Sequence, residues 1–333
     1  MTTPTRRRVL AGVAGTGALL SLGACADDDP APATGGSPLK VRFGYIADFT
    51  GASVVALAGK LELWDRFGLQ PELKVFTNGP LQVQALGAGD LDFGYVGPGA
   101  MWLPATGKAK VIAINSLGFA DRIIAQAGIT SVAQLRGKRV GVPEGTSGDM
   151  ILRLALRQAG MSIADVQKVA MDASTVVTAF GARQIDAAGI WYPLVGTIKQ
   201  RVPDLVELAR NEDFYPRYSF PSAFVGRNEV VADKPELLKR VLRLVREATD
   251  RRAGDVDAAV TLTAALLKAP VEQLRSEAAN ARFLTSADLA AKSGDGTVTA
   301  WLAGLNALFK EFGKVTGDVD PATYYDAAAY AAQ

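Results

Sequence analysis

Three stretches of the chain place small and hydroxylated residues at the start of a helix directly after an apolar strand. At such a start the first backbone N–H groups lack partners and the helix dipole is positive, so a small polar or anionic group finds donors ready. The clearest is Val140-Gly-Val-Pro-Glu-Gly-Thr-Ser-Gly-Asp149, followed by a helix with Ile151, Leu154 and Ala155 on one face. Thr146 and Ser147 offer hydroxyls, and Gly145 and Gly148 let a ligand come close to the backbone. The loop does not end in the Gly-Lys-Ser/Thr of a phosphate-cradling P-loop. Two readings stay open: an ordinary Ser147 N-cap with Asp149 in the first turn, or a ligand site. Thr50-Gly51-Ala52-Ser53 and Gly97-Pro98-Gly99-Ala100 are the other two stretches.

The elements that must position these loops alternate. Leu39–Tyr45, Glu72–Phe76, Asp90–Val96, Lys110–Ser116, Arg122–Ala127, Lys138–Pro143, Val166–Met171 and Leu205–Leu208 read as strands, with helical stretches between several of them. That order predicts parallel α/β units, whose ligand sites lie beyond the carboxyl ends of the strands. Phe180-Gly-Ala-Arg-Gln-Ile-Asp186 echoes Leu86-Gly-Ala-Gly-Asp-Leu-Asp92, as expected if a second lobe rebuilds the first. The chain crosses between lobes near 117–121, and Ser222–Gly226 reads as the return. From Pro235 to Phe312 the composition is almost wholly helical, which places these helices on the first lobe. The lobes are therefore discontinuous: 39–121 plus 226–333, and 122–225.

Composition narrows the chemistry. The 333 residues include no histidine and a single cysteine, Cys25, which removes Ser-His and Cys-His nucleophile pairs, disulfide frameworks and zinc clusters. A formal charge of +2 without basic clusters argues against nucleic acid as a partner. Residues 1–24 read as an export signal, with Arg6-Arg7-Arg8, an apolar run from Ala11 to Leu22, and a cleavage site before Cys25. Thr-Arg-Arg-x-Val-Leu resembles a twin-arginine signal and Leu22-Gly-Ala-Cys25 resembles a lipoprotein lipobox, which implies a lipid on Cys25. Residues 25–38 read as a tether.

Four further stretches carry a resemblance: Gly87-Ala-Gly-Asp-Leu-Asp-Phe-Gly94, Leu135-Arg-Gly-Lys-Arg-Val-Gly-Val-Pro143 with Gly145-Thr-Ser147, Ile185-Asp-Ala-Ala-Gly-Ile-Trp191, and Leu284-Thr-Ser-Ala-Asp288. In this order and spacing the chain resembles the periplasmic solute-binding proteins of ABC importers for nitrate, sulfonates and taurine, a family that also binds thiamine-precursor pyrimidines. The resemblance implies an α/β, two-lobed venus-flytrap fold and a non-enzymatic receptor without a cofactor. With the lipobox it implies a monomer, lipid-anchored outside the cytoplasmic membrane, that captures a small sulfonate-like, taurine-like or other oxyanion in the cleft between lobes and delivers it to a permease and its ATPase. Carried onto this chain, the ligand residues are Thr50, Gly51, Ala52, Gly97, Pro98, Gly99, Thr146, Ser147, Gly148, Trp191 and Tyr192.

The chain departs from the family where many relatives read Trp-Asp-Pro and it reads Trp191-Tyr192-Pro193. Asp149 is a further ligand candidate, and Asp48 and Asp172 lie where they could reach the cleft. If Asp149 faces the cleft, it repels a bare sulfonate or nitrate and favours a cationic, zwitterionic or aromatic metabolite; if not, it stabilises its own helix dipole. Trp191 and Phe119 are equally well read as core. An enzyme such as the related pyrimidine synthases is the least supported alternative, since those use histidine and a cysteine-rich motif.

Overall fold

The computed structural model describes residues 37–331. The expected export signal, Cys25 and almost all of the tether lie outside the described residues. Eleven strands follow in chain order: β1 (Leu39–Ile46), β2 (Leu69–Phe76), β3 (Phe93–Val96), β4 (Lys110–Gly118), β5 (Asp121–Ala125), β6 (Arg139–Val142), β7 (Gln167–Ala170), β8 (Ala187–Trp191), β9 (Val206–Arg210), β10 (Pro221–Gly226) and β11 (Ala281–Arg282). Helices α1 (Phe49–Lys60), α2 (Leu63–Arg66), α3 (Gly79–Gly87) and α4 (Trp102–Ala105) lie among the first four strands. Helices α5 (Ser147–Gln158), α6 (Ala173–Gly181) and α7 (Leu194–Arg201) belong to the middle of the chain. The final third supplies α8 (Asn228–Asp233), α9 (Pro235–Gly254), α10 (Val256–Leu267), α11 (Val271–Ala278), α12 (Ser286–Gly294), α13 (Thr297–Glu311) and α14 (Ala327–Ala331).

Two sheets form, and their topologies match. The first runs β2, β1, β3, β10, β4, β11 and the second β7, β6, β8, β5, β9. In each, three strands pair in parallel and the next is antiparallel to both of its neighbours: β10 between β3 and β4, β5 between β8 and β9. The echo in the sequence has the same physical role in both lobes. Asp92 N–H donates to the Arg42 carbonyl while the Asp92 carboxylate accepts Arg42 N–H, both at 2.9 Å. Asp186 does the same with Arg139, at 2.9 and 2.8 Å. An aspartate at this point satisfies a backbone donor of an interior strand and fixes where the short strand after it begins.

The crossing between sheets is shorter than the sequence suggested, because Asp121 already pairs with Trp191 in the second sheet. The return also differs: Ser222–Gly226 is not a crossing but most of β10, paired with β3 and β4, so the chain re-enters the first sheet at Pro221. An apolar six-residue run buried on both faces has no alternation to mark it as a strand. Helices α9 and α10 pack on α1, as expected of a helical C-terminal region resting on the first lobe. Their apolar faces, through Val241, Leu244, Val245, Ala259 and Val260, are fully or almost fully buried in one core with Phe43, Phe49 and Phe224. A second apolar cluster, centred on Val176, Phe180, Ile190, Val195 and Ile198, lies between the second sheet and α6 and α7.

Candidate functional site

A cavity of about 620 Å³, counting the space open to solvent, lies between the sheets at the carboxyl ends of the parallel strands. The first lobe supplies Asp48 and Thr50 from the β1–α1 turn, Asn78 before α3, Tyr95, Gly97 and Pro98 at the end of β3, and Ser116 and Ser222. The second supplies Asp121 from the start of β5, Thr146 and Ser147 at the start of α5, and Trp191 and Tyr192 at the end of β8. Asn280 closes one side. No lysine or arginine is among these lining residues.

Each wall is held by a layer behind it. Arg252, fully buried, donates from Nη1 to Asn115 Oδ1 at 2.8 Å and from Nη2 to the Asn115 carbonyl at 2.7 Å. Asn115 in turn donates to the Thr50 carbonyl at 3.0 Å. The Tyr95 hydroxyl donates to Thr50 Oγ1 at 3.0 Å, and the Thr50 hydroxyl donates to Asp48 Oδ1 at 3.1 Å. Burial pushes the Tyr95 phenol up and brings the Arg252 guanidinium down to about 10. In the other lobe the buried Arg122 bonds to the Phe119 carbonyl and to Asn280, pairs with Glu207 at 3.2 Å, and lies 5.4 Å from the centre of the Tyr192 ring.

The two acids in the wall are buried, with 8% of Asp48 and 3% of Asp121 exposed. Asp48 is the N-cap of α1: its Oδ1 accepts Gly51 N–H at 2.6 Å. Burial raises its carboxyl to about 6 against these bonds, and Asp121 adds repulsion. Asp121 is also raised by burial; the Ser147 hydroxyl and the Asn211 amide, 3.0 Å from Oδ2, oppose that. Nearby, Glu277 accepts Phe49 N–H at 2.7 Å, and burial together with Asp48 raises it to about 8.

Seven of the expected ligand residues line the cavity: Thr50, Gly97, Pro98, Thr146, Ser147, Trp191 and Tyr192. Six do not. Gly51 is packed so that a Cβ would lie 2.7 Å from the Ile46 carbonyl, and Ala52 is fully buried in α1. Gly148 packs α5 on β8, where a Cβ would come 2.3 Å from the Gly189 carbonyl oxygen. Gly99 meets the other lobe rather than a ligand, since a Cβ there would lie 2.1 Å from Ser147 N. Asp149 turns away from the cavity: it accepts Arg153 Nε at 3.1 Å and Gly145 N–H at 3.3 Å, with Lys314 and Lys168 at 3.9 and 4.0 Å. Asp172 lines a separate hollow with Pro80 and Met171 on the flank of the cleft. The stretch after β3 is also less than a helix start, being a three-residue 3₁₀ turn and then a four-residue helix. Phe119 packs edge-on against Tyr215 at 5.4 Å and does not line the cavity.

Asp121, Tyr95, Ser116, Ser222, Asn78 and Asn280 are the residues that sequence reasoning did not select. For Asp121 and Ser222 the reason is topological. Each stands at the amino end of an antiparallel strand, and that end lies at the same edge as the carboxyl ends of its parallel neighbours. Two α/β lobes, the first built from two separate segments of chain, with a cavity between them at facing strand ends are the periplasmic-binding-protein fold.

Comparison with known proteins agrees. Residues 57–259 match the family described as NMT1/THI5 like. A Brucella abortus protein whose name states only that it is a binding protein is 56% identical over 295 residues, spanning 89% of this chain and 92% of the relative. The chain belongs to the NMT1/THI5 like family. Among solved structures, the alkanesulfonate-binding protein of Xanthomonas axonopodis pv. citri, bound to MOPS, superposes with a TM-score of 0.68 at 21% identity, covering 88% of this chain and 99% of that one. The periplasmic nitrate-binding protein of Synechocystis gives 0.69 at 15% identity, covering 88% and 87%. At these identities the likeness is one of fold.

Proposed function

We propose that the chain is the extracytoplasmic solute receptor of an ABC importer, capturing one small molecule between its lobes and handing it to a permease and its ATPase. The observation that carries this reading is the cavity walled from both lobes, because a ligand touching both walls favours the closed form by differential contact. The sulfonate-like or taurine-like oxyanion expected from the sequence receives less support. Two of the donors at the α1 start are taken by the protein's own acids, Phe49 N–H by Glu277 and Gly51 N–H by Asp48. At α5 the Ser147 amide sits beneath Gly99, and Asp149 has turned to Arg153. A ligand that donates hydrogen bonds, whether cationic, zwitterionic or a neutral aromatic, fits these walls better.

Thermal melts against a panel of amines, pyrimidines, alkanesulfonates, taurine and nitrate test the receptor reading. A ligand that binds only the folded state at 100 times its Kd stabilises it by about 2.7 kcal/mol, which a melt resolves easily. A cavity-lining substitution such as Ser222→Trp is expected to abolish the shift and leave the fold intact. A shift that survives it places the ligand elsewhere.

A further inference from the structure

We infer that the cavity takes an organic cation, a protonated amine or amidine on an apolar or aromatic body, held between Asp48 of the first lobe and Asp121 of the second. This rests on the receptor reading and narrows its ligand classes to one. Asp48 commits Oδ1 to Gly51 N–H and the Thr50 hydroxyl, and among the described residues Oδ2 has no protein donor at the cavity wall. Asp121 is oriented by Asn211, whose amide donates to Oδ2 at 3.0 Å and whose Oδ1 accepts Asp121 N–H at 2.7 Å. Two carboxylates more than nine-tenths buried face one space, and none of the lining residues is a cation.

The cations behind the walls have other commitments. Arg252 is bonded to Asn115 and Ser53, and Arg122 pairs with Glu207 at 3.2 Å and Glu212 at 3.7 Å. A buried carboxylate is costly, Arg122 only partly offsets this at Asp121, and two such groups facing one cleft cost more; a ligand cation between them relieves both where the lobes face each other. A zwitterion's acidic end meets no lysine or arginine in the wall, only neutral groups and the same two acids. The indole of Trp191 and the phenol of Tyr192, in the wall beside Asp121, supply faces for the body of the ligand and its charge.

The test is titration calorimetry at pH 7.5 with benzylammonium, benzamidinium, benzyl alcohol, benzenesulfonate and taurine, together with mass spectrometry of any small molecule carried through native purification. The expected result is binding of the cations and none of the sulfonates. Asp48→Asn and Asp121→Asn each lower cation affinity about tenfold or more, with unchanged circular dichroism. Asp172→Asn, off the cavity, leaves it unaltered. Binding of benzenesulfonate or taurine in preference to the cations, a copurified ligand without a basic nitrogen, or full cation affinity in both Asn variants overturns the inference and leaves the receptor reading standing. No binding by any probe of either charge, and no copurified ligand, overturns both.

Discussion

At the start of α1 two backbone donors are spent within the first lobe, on Asp48 and Glu277. At the start of α5 no side chain caps the helix: the Thr146 hydroxyl donates to the Pro143 carbonyl at 2.6 Å, and the acid of the first turn, Asp149, reaches back to Arg153 and Gly145. Similar strings of small residues thus reach the same cleft by different routes. In one the glycine lets α1 begin tightly against β1; in the other it lets α5 lie flat on β8. Beside each start the cavity wall carries a buried acid. Asp48 comes from the cap itself, and Asp121 arrives from across the sheet to meet the Ser147 hydroxyl. A glycine- and hydroxyl-rich helix start is a weaker anion site where a buried acid shares its wall, as beside both of these.

The sharpest way to break this comparison is at the glycines. Gly148→Ala must lift α5 from β8, because the new methyl would sit 2.3 Å from a backbone oxygen. The expected loss is about 2–3 kcal/mol in urea denaturation, and Gly51→Ala, with its closest contact at 2.7 Å, is expected to lose less. Equal losses would show that the two starts are packed alike. Asp149→Asn comes next. It removes the negative partner of Arg153 and is expected to cost about 1–2 kcal/mol in the same measurement, leaving the charge preference of the ligand unchanged. A change in ligand preference would return Asp149 to the cleft.

A smaller effect separates the starts by pH. Glu277, raised to about 8 by burial and by Asp48, keeps its proton in the folded chain while an unfolded glutamic acid loses it near its ordinary value of 4.5. Since the folded state then binds more protons, this group makes stability fall as pH rises from about 4.5 to 8. Asp48, raised to about 6, acts in the same direction over a narrower window. Melts of Glu277→Gln between these limits are expected to show a shallower decline than the parent chain; an identical slope would sever the carboxyl from the α1 start. The smallest effect is at Tyr192→Phe. Its hydroxyl lies 3.4 Å from Glu207 and 3.2 Å from Lys199 on an exposed side, so a stability change within about 0.5 kcal/mol is expected.

Much of the fold was legible because it is written locally. Strands with alternating or continuous apolar runs, the Gly-rich turns, and the Leu86–Asp92 and Phe180–Asp186 echo all act through neighbours in sequence. The site was legible only on the parallel strands. Asp121 and Ser222 gave no signal because their place depends on strand direction, which follows from how the chain returns between lobes. The direction of Asp149 was equally hidden. Arg153, one turn along, is visible in the sequence, but Lys314 comes from the far end of the chain and Lys168 from the next strand. The reading of Ser222–Gly226 as a crossing failed for the opposite reason, since a strand buried on both faces carries no pattern to betray it.

Gly99 carries one more consequence. With no side chain on it, and none possible without collision against Ser147, the two lobes meet there backbone to backbone. The spacing of the lobes near α5 is therefore set by main-chain atoms that cannot change rotamer. A substitution in the lining can change charge and shape in the cavity without moving this contact.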